Sequence, residues 1–231
     1  MTELVSYQLH DSIATVTLDD GKVNALSHQM LRDIDDALDR ALADGAIVLL
    51  TGRPGVFSAG FDLRVLRAGG EDGPALMRAG FQLAMRVLSF PKPVVIACTG
   101  HAIAMGAFLL LSGDYRVGAA GPYKITANEV AIGITMPRPA VAICRQRLAP
   151  AHFSRAVVNA EVYAPDAAVG AGFLDRVVGG AQLADAARDV ARQLRTLDLD
   201  AHAATKLRAR EEALAAIQAG IDLDYAAVTT A

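Results

Sequence analysis

Apolar and polar positions divide the first half of the chain into short β segments and one strongly periodic helix. Ser12 to Leu18 alternate and are rich in β-branched residues, and with Val5 to Leu9 before them and Asp11-Ser12 between, they predict an opening hairpin. Ser27 is placed to cap a helix whose apolar residues Leu31, Ile34, Leu38 and Leu42 follow the helical period, with Asp33, Asp36 and Arg40 outside and Gly45 after its end. Ile47 to Leu50 is an unbroken apolar run too short for a helix, so it predicts a buried strand leading into a Gly-Arg-Pro-Gly turn. Val94 to Cys98 repeats that pattern. Between the two lie Phe57 to Leu66, a glycine-containing loop over 69–73, and a helical pattern from Ala75 to Leu88 that stops before Pro91-Lys92-Pro93.

Ile103 to Leu111 reads as one almost wholly apolar helix, buried on all sides, and Tyr115 to Val117 and Tyr123 to Thr126 read as short strands. Strands and helices alternating with short turns predict an α/β fold with a mostly parallel sheet, and no exact repeat is visible. From Ala140 onward the chain turns predominantly helical, with a boundary near 150–180. Leu183, Ala187, Val190 and Leu194 share one helical face and Leu207, Leu214 and Ile221 another. Such terminal stripes pack either on another subunit or on the chain's own core. The expected division is an α/β core over 1–178 and a helical region over 179–231.

Composition narrows the function. The 231 residues are 53% hydrophobic and 20% charged, a profile of a folded domain that excludes a disordered tail. The 22 Lys and Arg nearly balance the 25 Asp and Glu, for a net charge of −3, so no global field draws nucleic acid or an anionic membrane. The start of the chain shows no basic segment followed by an apolar one, and the longest apolar run is about half of what spans a bilayer, so a cytoplasmic protein is expected. Cys98 and Cys144 lie in apolar surroundings without metal-ligand spacing, so neither a disulfide nor a metal site is expected.

Two phrases could carry chemistry. Residues 57–63, Phe-Ser-Ala-Gly-Phe-Asp-Leu, place small residues between a strand end and a helix start, and residues 99–107, Thr-Gly-His-Ala-Ile-Ala-Met-Gly-Ala, do so again. Helix starts present free backbone N–H groups, and two that converge make an oxyanion hole, although small residues at such turns also serve close packing.

Taken in order, these phrases resemble the signatures of the crotonase (enoyl-CoA hydratase/isomerase) superfamily. The resemblance extends to Lys22-Val23-Asn24-Ala25-Leu26, Pro91-Lys92-Pro93-Val94-Val95, Asp114, and Glu129-Val130-Ala131-Ile132-Gly133 followed by Pro137. It implies a spiral of ββα turns, C-terminal helices that build a homotrimer or a dimer of trimers, and an acyl-CoA thioester as substrate, with no further cofactor. It also implies that the N–H groups of Phe61 and Met105 hold the thioester oxygen, with Ala59, Gly60, Asp62, Leu63, Gly106, Phe108 and Lys206 around the substrate; Lys206 corresponds to a lysine that approaches the nucleotide end of CoA, or is a solvated helix-face lysine.

The departures matter more than the matches. Ala104-Met105-Gly106 stands where relatives that hydrate carry a glycine run, and Phe108 replaces one of their two glutamates. The other corresponds to Glu129, the expected general acid and base, whose alternative is a capping or ion-paired carboxylate. One carboxylate suits moving a double bond from the 3 to the 2 position, since one base can remove a proton and return it. Hydration with a substitute for the missing glutamate, and non-catalytic acyl-CoA binding, remain as rivals. His101 is a second acid or base or a packed histidine, Tyr123 and Asn128 are candidate pocket residues, and Arg138 replaces part of a glycine-rich turn, which either reshapes the acyl tunnel or only rearranges the surface.

Overall fold

The computed structural model describes residues 3–68 and 70–229. Strands β1 (Val5–His10) and β2 (Ile13–Leu18) form the expected hairpin, and Ser27 caps α1 (His28–Ala43) by accepting from the Met30 N–H at 3.2 Å. Leu42 departs from the expected buried stripe and stands 44% exposed, because Ala37 and Ala41 complete the buried face in the last turns of α1.

Three turns of a ββα spiral follow. The first comprises β3 (Ile47–Thr51), β4 (Gly55–Ser58), the short α2 (Leu63–Arg67) and α3 (Asp72–Ser89). The second comprises β5 (Val94–Cys98), β6 (Gly100–Ile103) and α4 (Met105–Leu111), and the third β7 (Tyr115–Ala119), β8 (Ile125–Thr126) and α5 (Arg138–Arg147). In each turn the first strand joins a six-stranded sheet of order β1-β2-β3-β5-β7-β9 and the second joins a three-stranded sheet of order β4-β6-β8. All pairings are parallel except the opening hairpin. Helices α6 (Pro150–Val157) and α7 (Pro165–Ala171) lead to β9 (Arg176–Val178), then come α8 (Leu183–Leu194) and α9 (Leu199–Thr229).

Several expectations are corrected. The apolar run 103–111 is not one helix: Ile103 ends β6, and the chain turns at Ala104, at φ 51°, before α4 begins. Hydropathy is the same for a buried strand and a buried helix, so the break was invisible in it. The expected loop over 69–73 is shorter, since α3 starts at Asp72; Gly69 lies outside the described residues. Strands β4 and β9 had no expectation of their own, and the expected strand over 123–126 shrinks to its last two residues.

The large sheet is covered on both faces, which explains its unbroken apolar strands. Val48, Leu50, Val94 and Ile96 point into the main core with α1, α3 and α4. Their neighbours Ile47, Leu49, Val95 and Ala97 point the other way, against Leu183, Ala187, Val190 and Ala191 of α8. The α8 stripe therefore packs on this chain's own sheet, the second of the two alternatives. On α9, Ile217 and Ile221 are buried against α3 and α5, whereas Leu207 of the same expected stripe is 47% exposed. Among the described residues no helix is long and apolar enough to cross a membrane.

Candidate functional site

The site is assembled where the second strands of the spiral end. Asn24 is fully buried at φ 52°, and its Nδ2 donates to Leu18 O at 2.9 Å and Phe57 O at 3.1 Å, tying β2 to the end of β4. Ser58 Oγ donates to Asn24 O at 2.8 Å and accepts from the Gly60 N–H at 3.1 Å. Leu26 N donates to Gly60 O at 2.8 Å and Asp62 N to Leu26 O at 3.3 Å, as a short parallel bridge. In such a ladder alternate N–H groups point to opposite edges, so Phe61 N–H faces away from Leu26.

The second turn is held by different contacts. Ala104 N donates to Thr126 O at 2.9 Å, and Ala104 O accepts from Ala107 N and Phe108 N at 2.8 and 3.1 Å, which starts α4 and leaves Met105 N–H at its first turn. Gly106 lets α4 sit directly on β4: a Cβ there would lie 2.4 Å from Ser58 O. Gly60, at φ +90°, faces the other turn, with its Cβ direction 2.9 Å from Ile103 O and 3.3 Å from Met105 N. The two turns thus abut, and among the described residues neither Phe61 N nor Met105 N donates a hydrogen bond within the chain.

A cavity of about 160 Å³ opens beside them, lined by Ala59, Phe61, Leu63, Ala104, Asn128 and Glu129 and walled by apolar side chains that include Met77 and Phe81 of α3 and Ile132, Ile134 and Pro137. Glu129 is 6% exposed, and its Oε2 is buried without a hydrogen-bond partner. Burial pushes its carboxyl up from 4.5 to about 7, against the pull of its own backbone N–H. It neither caps a helix with its side chain nor forms an ion pair, so the alternative expected for it falls away. Asn128 Oδ1 beside it is likewise buried and unpartnered.

Some residues expected around a substrate stand elsewhere. Phe108 is 1% exposed and does not line the cavity; its ring stacks at 6.1 Å behind that of Phe81, which does. Asp62 caps α2, accepting from Arg64 N at 2.9 Å and pairing with the Arg64 guanidinium at 2.7 Å, which holds its carboxyl below the usual range. Gly106 serves packing, as above. Lys206 is not a solvated lysine: it is 6% exposed, and its Nζ donates to Phe90 O, Lys92 O and Asp114 Oδ2 at 2.8, 3.0 and 2.6 Å. His101 accepts from Lys124 N at 3.0 Å and meets the Tyr123 ring edge-on, and neither aromatic lines the cavity. The apolar wall from Met77 and Phe81 was missed, because residues four apart on a helix look the same whether they fill a core or face a ligand.

A second cavity of about 490 Å³ shares Met77, Phe81 and Pro137 with the first and runs between α3, α5 and α9. Arg138 closes its side toward α9: its backbone N–H donates to Asp224 Oδ2 at 2.8 Å and its guanidinium pairs with the same carboxylate. Cys98 and Cys144 are buried free thiols, and among the described residues no group of His, Cys, Asp and Glu is placed to hold a metal ion.

Residues 8–229 match the family model described as enoyl-CoA hydratase/isomerase. Over 230 residues the chain is 30% identical to a probable enoyl-CoA hydratase of Mycobacterium avium, covering 96% of this chain and 84% of that protein. Its fold is similar to that of an apo enoyl-CoA isomerase of Mycobacterium tuberculosis, with TM-score 0.94, 48% identity and coverage of 98% and 99% of the two chains. It is similar also to the human mitochondrial delta3-delta2-enoyl-CoA isomerase, with TM-score 0.93, 26% identity and coverage of 98% and 91%.

Proposed function

Because this chain belongs to the enoyl-CoA hydratase/isomerase family, we propose that it converts a 3-enoyl-CoA to a 2-enoyl-CoA with Glu129 as its single acid and base. The observation that carries this reading is the isolation of Glu129, the one carboxylate among the described residues that line a cavity whose other walls, Asn128 apart, are apolar, beside two unused backbone N–H groups. The thioester oxygen sits on the N–H groups of Phe61 and Met105. Glu129 takes a proton from the α-carbon, the electron pair spreads over a dienolate whose charge rests on that oxygen, and the same carboxyl returns the proton to the γ-carbon. The double bond moves from the 3 to the 2 position with no other reactant. Fixed N–H dipoles in a dry site supply roughly 3–4 kcal/mol each toward the enolate. A base whose proton affinity lies near neutrality can both accept and release the proton.

The acyl tail runs past Met77 and Phe81 into the second cavity, whose closure by Arg138 and Asp224 bounds the chain. Val130, Ile132 and Ile134, 46%, 51% and 39% exposed, rim the site, and an apolar rim of this kind suits cover by a neighbouring subunit in a homotrimer. Hydration is the second reading, favoured by the unpartnered Asn128 Oδ1, an acceptor able to hold a water beside Glu129.

The test compares 3-enoyl-CoA and 2-enoyl-CoA as substrates for wild type and Glu129→Gln. Isomerisation by wild type, reduced by a factor of order 10² or more in the variant with binding retained, supports the reading. Isomerisation as fast in Glu129→Gln as in wild type refutes it. Wild-type turnover of the 2-enoyl substrate to the hydroxyacyl product, without isomerisation, assigns hydration instead.

A further inference from the structure

Among the described residues six buried side-chain N or O atoms lack a hydrogen-bond partner, and they fall in two places. Asn128 Oδ1 and Glu129 Oε2 belong to the catalytic cavity, near Thr126 Oγ1 in sequence. The other three are all nitrogen atoms, Gln146 Nε2, Arg147 Nε and His202 Nε2, and all three residues line a separate cavity of about 610 Å³. It lies between the start of β7, the end of α5 and the junction of α8 with α9, and shares no lining residue with the catalytic or tail cavities.

The surroundings are electropositive. Arg147, Lys206 and Arg210 line this cavity and Arg116 is buried behind Arg147. Among the described residues two carboxylates, Asp114 and Asp175, pair with these four cations. Asp114 is taken up by Lys206 at 2.6 Å, Arg210 at 2.9 Å and the Val94 N–H at 2.7 Å. Asp175 is held by Arg116 through two guanidinium contacts at 2.9 and 2.7 Å and reaches Arg147 only at 3.9 Å. Asp198, also at the cavity, accepts from Asp200 N and Ala201 N at the start of α9. Burial above all, with the charges of Arg116 and Arg210 beside it, pushes the Arg147 guanidinium down to about 10 against the pull of Asp175 and Asp114.

The Arg147 Nε–H, the Gln146 amide N–H and, in its Nε2-protonated form, the His202 ring N–H are unpaired beside this positive charge, and they are complementary to a compact group with several acceptor oxygens and a negative charge. We propose that this second cavity binds a small oxyanion, a carboxylate or phosphate group, through Gln146, Arg147 and His202. The inference stands independently of the acyl-CoA reading. It uses no residue of the catalytic site.

Thermal unfolding of the full chain in titrations of sodium phosphate, sodium malonate and sodium chloride at matched ionic strength tests it. A ligand that binds only the folded state raises the melting temperature in proportion to the logarithm of its concentration above Kd. Phosphate or malonate should therefore stabilise the protein where chloride does not, and whichever of the two acts at lower concentration identifies the oxyanion. In Gln146→Leu/His202→Leu the concentration needed for the same increment should rise at least tenfold. Thr205→Glu, which adds a carboxylate at an exposed lining position, should raise the melting temperature without added anion and abolish the phosphate and malonate increments. Equal effects of all three salts, or an unchanged response in the double variant, overturn the proposal. If the double variant does not fold, Thr205→Glu decides, and an undiminished anion response in it is equally fatal.

Discussion

Replacing Glu129 by Gln should make the protein more stable and less active at once, and the stability half follows from burial alone. In the unfolded chain the carboxyl titrates near 4.5, whereas in the fold it is held near 7 with its Oε2 unpartnered. A group whose folded-state affinity for protons is raised destabilises the fold wherever it is charged. Below about pH 4.5 both states are protonated and nothing is lost. As the pH rises toward 7 the unfolded carboxyl ionises first, and above 7 the full difference is imposed. At about 1.4 kcal/mol for each factor of ten in proton affinity, the difference amounts to about 3 kcal/mol. Glutamine has nearly the same shape and no charge, so Glu129→Gln should exceed wild type by about 3 kcal/mol at pH 8. For a chain of this size that is roughly 6–12 °C in melting temperature. The excess should shrink through pH 7 to 4.5 and vanish below. Denaturant unfolding at pH 8, 6 and 4 measures it, and wild-type isomerisation should rise with pH and level off above about 7, where the base is ionised. A variant no more stable than wild type at pH 8, or an excess that does not change with pH, would refute the dry, unpaired carboxylate.

Phe108→Glu should destabilise the fold by about 3–5 kcal/mol, because it removes a buried ring stacked on Phe81 and strands a carboxyl in the core; with Phe81 between it and the cavity it should confer no hydration, as unfolding midpoints and a 2-enoyl-CoA assay would show. Lys206→Met should weaken the fold by about 2–4 kcal/mol, since Asp114 loses a buried cation, yet change KM for acyl-CoA less than twofold; a large rise in KM with unaltered stability would support the nucleotide role of this lysine. Ala104→Gly should stabilise by about 1 kcal/mol, because φ 51° strains a residue with a Cβ, and calorimetry reads the difference. Light scattering at micromolar concentration should report a trimer or a multiple of three; a monomer unaffected by dilution would contradict subunit cover of the apolar rim.

The hairpin, α1 and the central strands were legible because each has its own period, and the large sheet carries alternate residues into two different cores. Ile47 and Val48 show the limit of that reading: both are apolar, and only the fold reveals that one meets α8 and the other the main core. The break at Ala104 could not be read from hydropathy, since it is made by one backbone angle between two apolar runs. At the site, the two turns and Glu129 were legible through ordered motifs. The burial of Lys206 was not legible, because a lysine on an amphipathic helix looks solvated until its partner Asp114, 92 residues away, is seen beside it.

The unsatisfied groups of the catalytic cavity explain why the isolation of Glu129 is more than the loss of a partner. Placing a second carboxylate beside a buried one raises the affinity for the first proton and lets the pair share it, so two such groups divide the roles of acid and base between them. Here Phe61 and Phe81 line the cavity and Phe108 stacks behind Phe81, with successive centroids 6.1 Å apart, so an aromatic ring stands at position 108, where the resemblance places a second carboxylate. Burial alone then does what a like charge would otherwise do, bringing the proton affinity of Glu129 close to neutrality. A lone group tuned in this way can carry one proton out and back, and the polar neighbour it has in the cavity is Asn128, an amide that cannot act as a second base. With Glu129 as the acid and base we propose, the packing that destabilises its ionised carboxylate suits the transfer of one proton between two carbons of the same substrate.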